Sequence, residues 1–421
     1  VGRRTFRFGF MPAASSRLLL IVLVLATAAR AQLPALSGEL RGDFVPPVAG
    51  APNLRWELTL KTAPAGRREG SLTVAAPGLK AEVAVETDAA FAVGSWRLIA
   101  AELEPGPWLA LLAPQFAPAL VGSEVTGTVR LNGAGTLHQG QPAGLITIEW
   151  RDGAVTHPAQ GWALAGVALR GEFLLDAAAK TWSSTGPAEL TVRSITTKRF
   201  GARSFSILFR MDEKLAPRVE SARIEIAGGE IVAAPFSVPL VPPAIDVKLR
   251  LTRIGLQDVV ALVPTGLSEG RGRVDGELQV GWSKALGLQI GAGQLNLRSD
   301  EPMTLRLAAA PGLLSASMPE RFALLPAWFG PFSRWFSPVN PGFADLVAIE
   351  LGRTALQVES LDVRLTPEGD DRGRSARVLV KARPEVAGTS VGSVSFEIDV
   401  NGPLAYVLRL GAENGATLNV R

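Results

Sequence analysis

Ile245-Asp246-Val247-Lys248-Leu249-Arg250-Leu251 and Val274-Asp275-Gly276-Glu277-Leu278-Gln279-Val280 are the stretches that decide how this chain folds. In both, apolar and polar residues alternate with a period of two, so one set falls on each face of a β-sheet. The same alternation recurs at 54–60, 205–209, 219–226 and 394–400. Gly, Asn or Pro punctuates nearly every segment, and Asn132-Gly133, Asp152-Gly153 and Asn401-Gly402 read as hairpin turns. On the order of two dozen strands this close in sequence predict an antiparallel meander. The expected class is all-β with a few short helices. Those helices are expected at 107–116 and 256–263, which are apolar without alternation.

Composition narrows the chemistry. The 421 residues contain no Cys and two His, His138 and His157. That excludes a disulfide scaffold, thiolate metal sites and a cysteine nucleophile, and leaves little for a histidine site. Both histidines sit beside turn-forming residues and read as surface loop positions. The formal charge of +4 points toward nucleic acid until the N-terminus is read. Arg17 precedes an apolar run of about twelve residues ending in Ala29-Arg30-Ala31, the order of a secretory signal peptide. Residues 1–31 are therefore expected to be an export signal, with an uncleaved inner-membrane anchor as the alternative. They hold five Arg and no acid, so the remainder carries 38 basic and 39 acidic residues, a net charge of −1. Nucleic acid drops out as an expected partner, and the expected location is periplasmic.

Gly127 and Gly276 lie 149 positions apart, as do Gly144 and Gly293, and an apolar segment precedes each pair. The equal offset predicts an internal repeat of one supersecondary unit. The expected organisation is a first β-sheet region over 32–243 and a second over 244–421, each holding one repeat unit.

Motifs with catalytic associations fall away. Gly388-Thr389-Ser390-Val391-Gly392 fits a nucleophile elbow, but it sits between alternating segments and both His precede it, so it reads as a turn. Residues 368–374 form a charged hairpin without the ligand spacing of a calcium loop. No metal or cofactor is expected. The segment 324–336 is the most unusual, with Trp328, Phe329, Phe332, Trp335 and Phe336 around Arg334. It reads either as a cap on the end of the sheet or as a membrane-interface contact.

The order of segments over 245–298 resembles the AsmA-like superfamily of envelope proteins, most closely its YdbH-like branch. Strand 245–251 is followed by the apolar 254–262, then by Gly270-Arg271-Gly272-Arg273-Val274-Asp275-Gly276-Glu277-Leu278, then by Ile290-Gly291-Ala292-Gly293-Gln294-Leu295. Residues 346–411 are similar in kind. The resemblance implies an elongated, curved antiparallel sheet, a β-taco, whose apolar groove carries phospholipid acyl chains between inner and outer membranes. It also implies a non-enzymatic protein meeting a membrane surface or an envelope partner. On that reading the groove is lined by Leu249, Leu251, Val274, Leu278, Val280, Ile290, Leu295 and Leu297. Alternation alone leaves open whether such a face meets lipid or closes on itself as a dry core. The closed alternative is an envelope scaffold or secretion-apparatus component, and a carbohydrate-active enzyme using some of the nine Trp is the third reading.

Overall fold

The alternating segments form antiparallel strands throughout, as seen in a computed structural model. It describes residues 38–45, 52–90, 92–109, 113, 120–179, 181–198, 201–213, 216–239, 244–257, 267–283, 287–298, 300–316, 318–322, 337–366, 374–386, 388–401 and 419–420. Twenty-three strands lie among the described residues. The chain divides into two compact units, Val1–Ala222 and Arg223–Arg421. That division falls upstream of the 243/244 boundary expected from the sequence.

The first unit is a meander. Strands β1 (Gly38–Phe44), β2 (Leu54–Thr62), β3 (Arg68–Ala76), β4 (Leu79–Thr87), β5 (Val93–Leu103), β6 (Glu124–His138), β7 (Gln141–His157) and β8 (Trp162–Asp176) each pair with the next. β8 is long enough to take two partners, β9 (Thr181–Ser184) at its end and β10 (Ala188–Thr196) along its start. β11 (Gly201–Met211) follows on β10, and β12 (Pro217–Ile226) crosses the division. Cross-strand partners share a face, so the register yields an apolar row: Leu40, Leu58, Leu72, Val83, Leu98, Gly133, Ile146 and Phe173. Glu57, Thr73 and Glu82, one residue over, form a polar row on the other face. Trp108, in the short 3₁₀ turn Gly106–Trp108, is buried against Leu54 and Val74.

Two turn assignments need correction. Asn132-Gly133 lies inside β6, and Asp152-Gly153 lies at a bulge inside β7. The hairpin between these strands closes instead at Gln139 and Gly140, both with left-handed φ. Gly133 serves close approach rather than turning, since a Cβ there would stand 2.7 Å from the Leu145 carbonyl oxygen.

The second unit contains β13 (Gly229–Ala233), β14 (Phe236–Ser237), β15 (Ala244–Gly255), β16 (Leu267–Arg271), β17 (Arg273–Ser283), β18 (Gly287–Leu297) and β19 (Met303–Leu307). An α-helix, α1 (Pro341–Glu350), whose full length lies among the described residues, precedes β20 (Leu356–Leu365), β21 (Arg374–Pro384), β22 (Val394–Asn401) and β23 (Asn419–Val420). The ladder runs β13–β15–β17–β18–β20–β21–β22–β23, with β16 on β19 and β19 on β20. Gly127 and Gly144 lie on the neighbours β6 and β7, and Gly276 and Gly293 on the neighbours β17 and β18. Gly127 is at a bulge with φ +101°, whereas Gly276 sits in regular pairing.

Helix α1 was not anticipated. Asn340 caps it, accepting the Gly342 N–H at 3.1 Å, and Pro341 occupies the first turn. The expected helix at 256–263 is helical at Leu256 and Gln257, and its remainder lies outside the described residues.

Candidate functional site

The register of the second unit sorts side chains into unlike faces. Ile231, Leu251, Gly276, Leu295, Val363 and Val378 stand in one row across six strands. A parallel row holds Ala233, Leu249, Leu278, Gly293, Leu365 and Ala376. One residue away, on the opposite face, the row reads Arg250, Glu277, Gln294, Arg364 and Arg377. Its exposed ion pairs, such as Arg250–Glu277 at 3.4 Å, are worth up to about 1 kcal/mol each and chiefly keep that face wet.

All eight residues expected to line a groove lie on the apolar face. Leu249 opposes Leu278, Val280 opposes Ile290, Val274 opposes Leu297, and Leu295 and Leu251 both flank Gly276. The β17–β18 bulge between Leu278 and Val280 keeps Ile290 in phase with Leu295 and Leu297.

Burial divides this face along the strands. Val274 is 3% exposed and belongs to a packed cluster with Ile254, Met303, Leu346, Ile349 and Leu356. Leu251 and Leu297 pack against that cluster. Leu249, Leu278, Val280, Ile290 and Leu295 are only half-buried. At the far end Trp282, paired with Ile245, is 40% exposed. From Val274 to Trp282 is eight residues of strand, roughly 27 Å. Over that span the β17 side chains pass from buried to exposed, while Val247, opposite Val280, stays 8% exposed.

The dry end is closed by α1, held by an unusual anchor. Glu350, at the helix C-terminus, is 2% exposed. Its carboxylate accepts the Gly312 N–H at 3.0 Å, the Leu314 N–H at 2.9 Å, the Ser315 N–H at 3.1 Å and the Ser315 hydroxyl at 2.8 Å. Burial alone would push this carboxyl up, but the four hydrogen bonds outweigh it and hold the pKa at about 2. The charge thus ties the turn around 312–315 to the helix that plugs the sheet.

Among protein families, residues 10–324 match YdbH-like, described as intermembrane phospholipid transport protein YdbH. The chain belongs to the YdbH-like family. The matched span takes in the 245–298 segment order and nearly all of the first unit, while 346–411 lies beyond it. No curated protein and no solved structure matches the chain.

In this YdbH-like chain the remaining sequence candidates separate. Trp328, Phe329, Phe332, Trp335 and Phe336 lie outside the described residues, as does the 1–31 segment. His138 is exposed beside the β6–β7 turn. His157 is not the surface position expected of it. At the end of β7 it is 6% exposed, its Nδ1 accepts the Gln160 N–H at 3.3 Å, and its ring lies 5.5 Å from that of Trp162. Ser390 lies in the loop between β21 and β22, where its N–H donates to the Asp345 carboxylate at 2.6 Å. Among the described residues no three His, Asp or Glu side chains gather as a metal site. No helix of the described residues is long and apolar enough to cross a membrane. The sequence reading missed Glu350 and α1, although Asn340-Pro341 is a helix-start signal.

Proposed function

We propose that this YdbH-like chain is a periplasmic, non-enzymatic carrier that conducts phospholipid between inner and outer membranes. Acyl chains would lie on the apolar face at Leu249, Leu278, Val280, Ile290 and Leu295, with Leu251 and Leu297 leading to the plugged end. The observation that carries this reading is the unbroken apolar row across β13, β15, β17, β18, β20 and β21, backed by a polar row and left half-buried at its centre. Such a face gains about 0.8 kcal/mol for each lipid CH₂ it buries. The family description supports the same cargo. Membrane contact is assigned to the 328–336 aromatics on their composition with Arg334.

The packed cluster around Val274 favours the scaffold reading for its own end of the sheet. Native mass spectrometry of the purified protein decides between the two. Co-purified phospholipid that disappears in Leu278→Glu supports the carrier. A lipid-free wild-type protein leaves the scaffold.

A further inference from the structure

The meander of the first unit begins on an open edge. Among the described residues β1 pairs on one side only, with β2, in regular register from Gly38 against Leu60 to Phe44 against Leu54. Alternate N–H and C=O groups of β1 therefore point away from the sheet with no ladder partner among those residues. The strand is exposed along most of its length, and Phe44 is 41% exposed. Sheets ordinarily protect such an edge with a proline, a bulge or a charge turned inward. β1 has none of these. The residues on its apolar face are Gly38, Leu40, Gly42 and Phe44, opposite Leu60, Leu58, Trp56 and Leu54.

Glu39, Arg41 and Asp43 lie on the wet face. Asp43 has a partner, Arg55 at 3.7 Å. Glu39 and Arg41 form no ion pair with the described residues: Glu39 stands opposite Thr59, and Arg41 stands opposite Glu57 without closing on it. Two residues apart and of opposite sign, they complement the same strand read backwards. Antiparallel pairing of β1 with a second β1 about Leu40 sets Glu39 against Arg41, Leu40 against Leu40 and Gly38 against Gly42. Directly opposed residues share a face, so the apolar faces of the two copies coincide. The neighbouring in-phase registers do worse. Centred on Arg41, the guanidinium opposes itself and Glu39 opposes Asp43; centred on Glu39, the carboxylate opposes itself. Centred on Gly42, Arg41 meets an Asp43 that Arg55 already holds, and Glu39 faces Val45.

We infer that β1 is a dimerisation edge, joining two copies of this chain strand to strand about a twofold axis at Leu40. The row Leu98, Val83, Leu72, Leu58 and Leu40 then continues through the partner's Leu40 and back along the same residues of the second copy. One apolar face spans both first units, whatever it carries. So short an edge makes a small interface, and the association is reversible.

Sedimentation of the purified full chain over a rising concentration series should show a reversible doubling of mass. Arg41→Glu sets carboxylate against carboxylate at both charged pairs and should raise the dissociation constant at least about ten-fold; Glu39→Arg does the same with cations. Mixing these two variants restores both pairs, so the mixture should form heterodimers at concentrations where neither variant dimerises alone. A mixture as monomeric as its components, or variants that associate like wild type, overturns the pairing. The lack of native Cys provides a readout of register. Directly opposed residues have Cα atoms about 4.5–5.5 Å apart, within disulfide reach. Mild oxidation should crosslink Leu40→Cys to itself, whereas Glu39→Cys and Arg41→Cys should crosslink only when mixed. Crosslinking of Arg41→Cys to itself overturns the Leu40-centred register. Wild type that stays monomeric at every concentration, with the Leu40→Cys thiol still reduced, overturns the dimer and shows that the edge is covered in another way.

Discussion

Gly135 and Gly144 stand directly opposite each other on β6 and β7, and the Trp96 indole reaches across β6 to donate to the Ala143 carbonyl at 3.3 Å. Trp96 and Leu175, in the same row, are both buried. A Cβ on Gly144 would lie 2.3 Å from the Ala134 oxygen and 2.5 Å from the Gly135 Cα, so the two strands approach as only paired glycines allow. Gly144→Val should therefore cost about 2 kcal/mol or more, since backbone must move. Chemical denaturation measures this, and an unchanged midpoint would show that the approach is not required.

Glu350 gives a pH dependence of definite sign. Its pKa is about 2 in the folded protein and near 4.5 when free, so its contribution to stability is complete above pH 4.5. That contribution declines as pH falls from 4.5 toward 2. Glu350→Gln should lose about 3 kcal/mol at neutral pH, because an amide cannot accept from all the N–H groups the carboxylate serves. The stability difference between wild type and variant should shrink on acidification. A difference that stays constant from pH 7 to pH 3 would contradict the anchor.

Two substitutions on one face should behave oppositely. Leu278→Glu falls on the half-buried stretch, where the glutamate can reach water, and should shift stability by about 1 kcal/mol or less while lipid retention is lost. Leu356→Ala removes a fully buried side chain from the packed cluster and should cost about 3 kcal/mol. Melting temperature and lipid content measured on both variants separate the open stretch from the core.

Trp282 offers a direct reporter at the open end, being 40% exposed beside Ile245. Phospholipid with brominated acyl chains should quench wild-type fluorescence more than that of Trp282→Phe. Equal quenching would place the acyl chains elsewhere.

Much of this was readable from alternation, because a period of two survives any strand order. The faces of Leu249, Leu278 and Leu295 follow from it once register is known. Long strands defeated the turn reading: Gly133 and Gly153 relieve crowding and bulging within β6 and β7, which share the local composition of a turn. The division of the apolar face was not legible. It depends on α1, which begins 58 residues beyond the end of β17, returning to cover Val274, and on Glu350 closing a contact with Ser315 thirty-five residues away. Such long-range coverage leaves no periodic trace.

The plug at Val274 also sets the traffic rules of the second unit. A hydrocarbon chain lying along β15, β17 and β18 meets a wall of 0–8% exposed side chains at one end and an exposed tryptophan at the other. On the proposed carrier reading, an acyl chain on this stretch therefore enters and leaves at the Trp282 end.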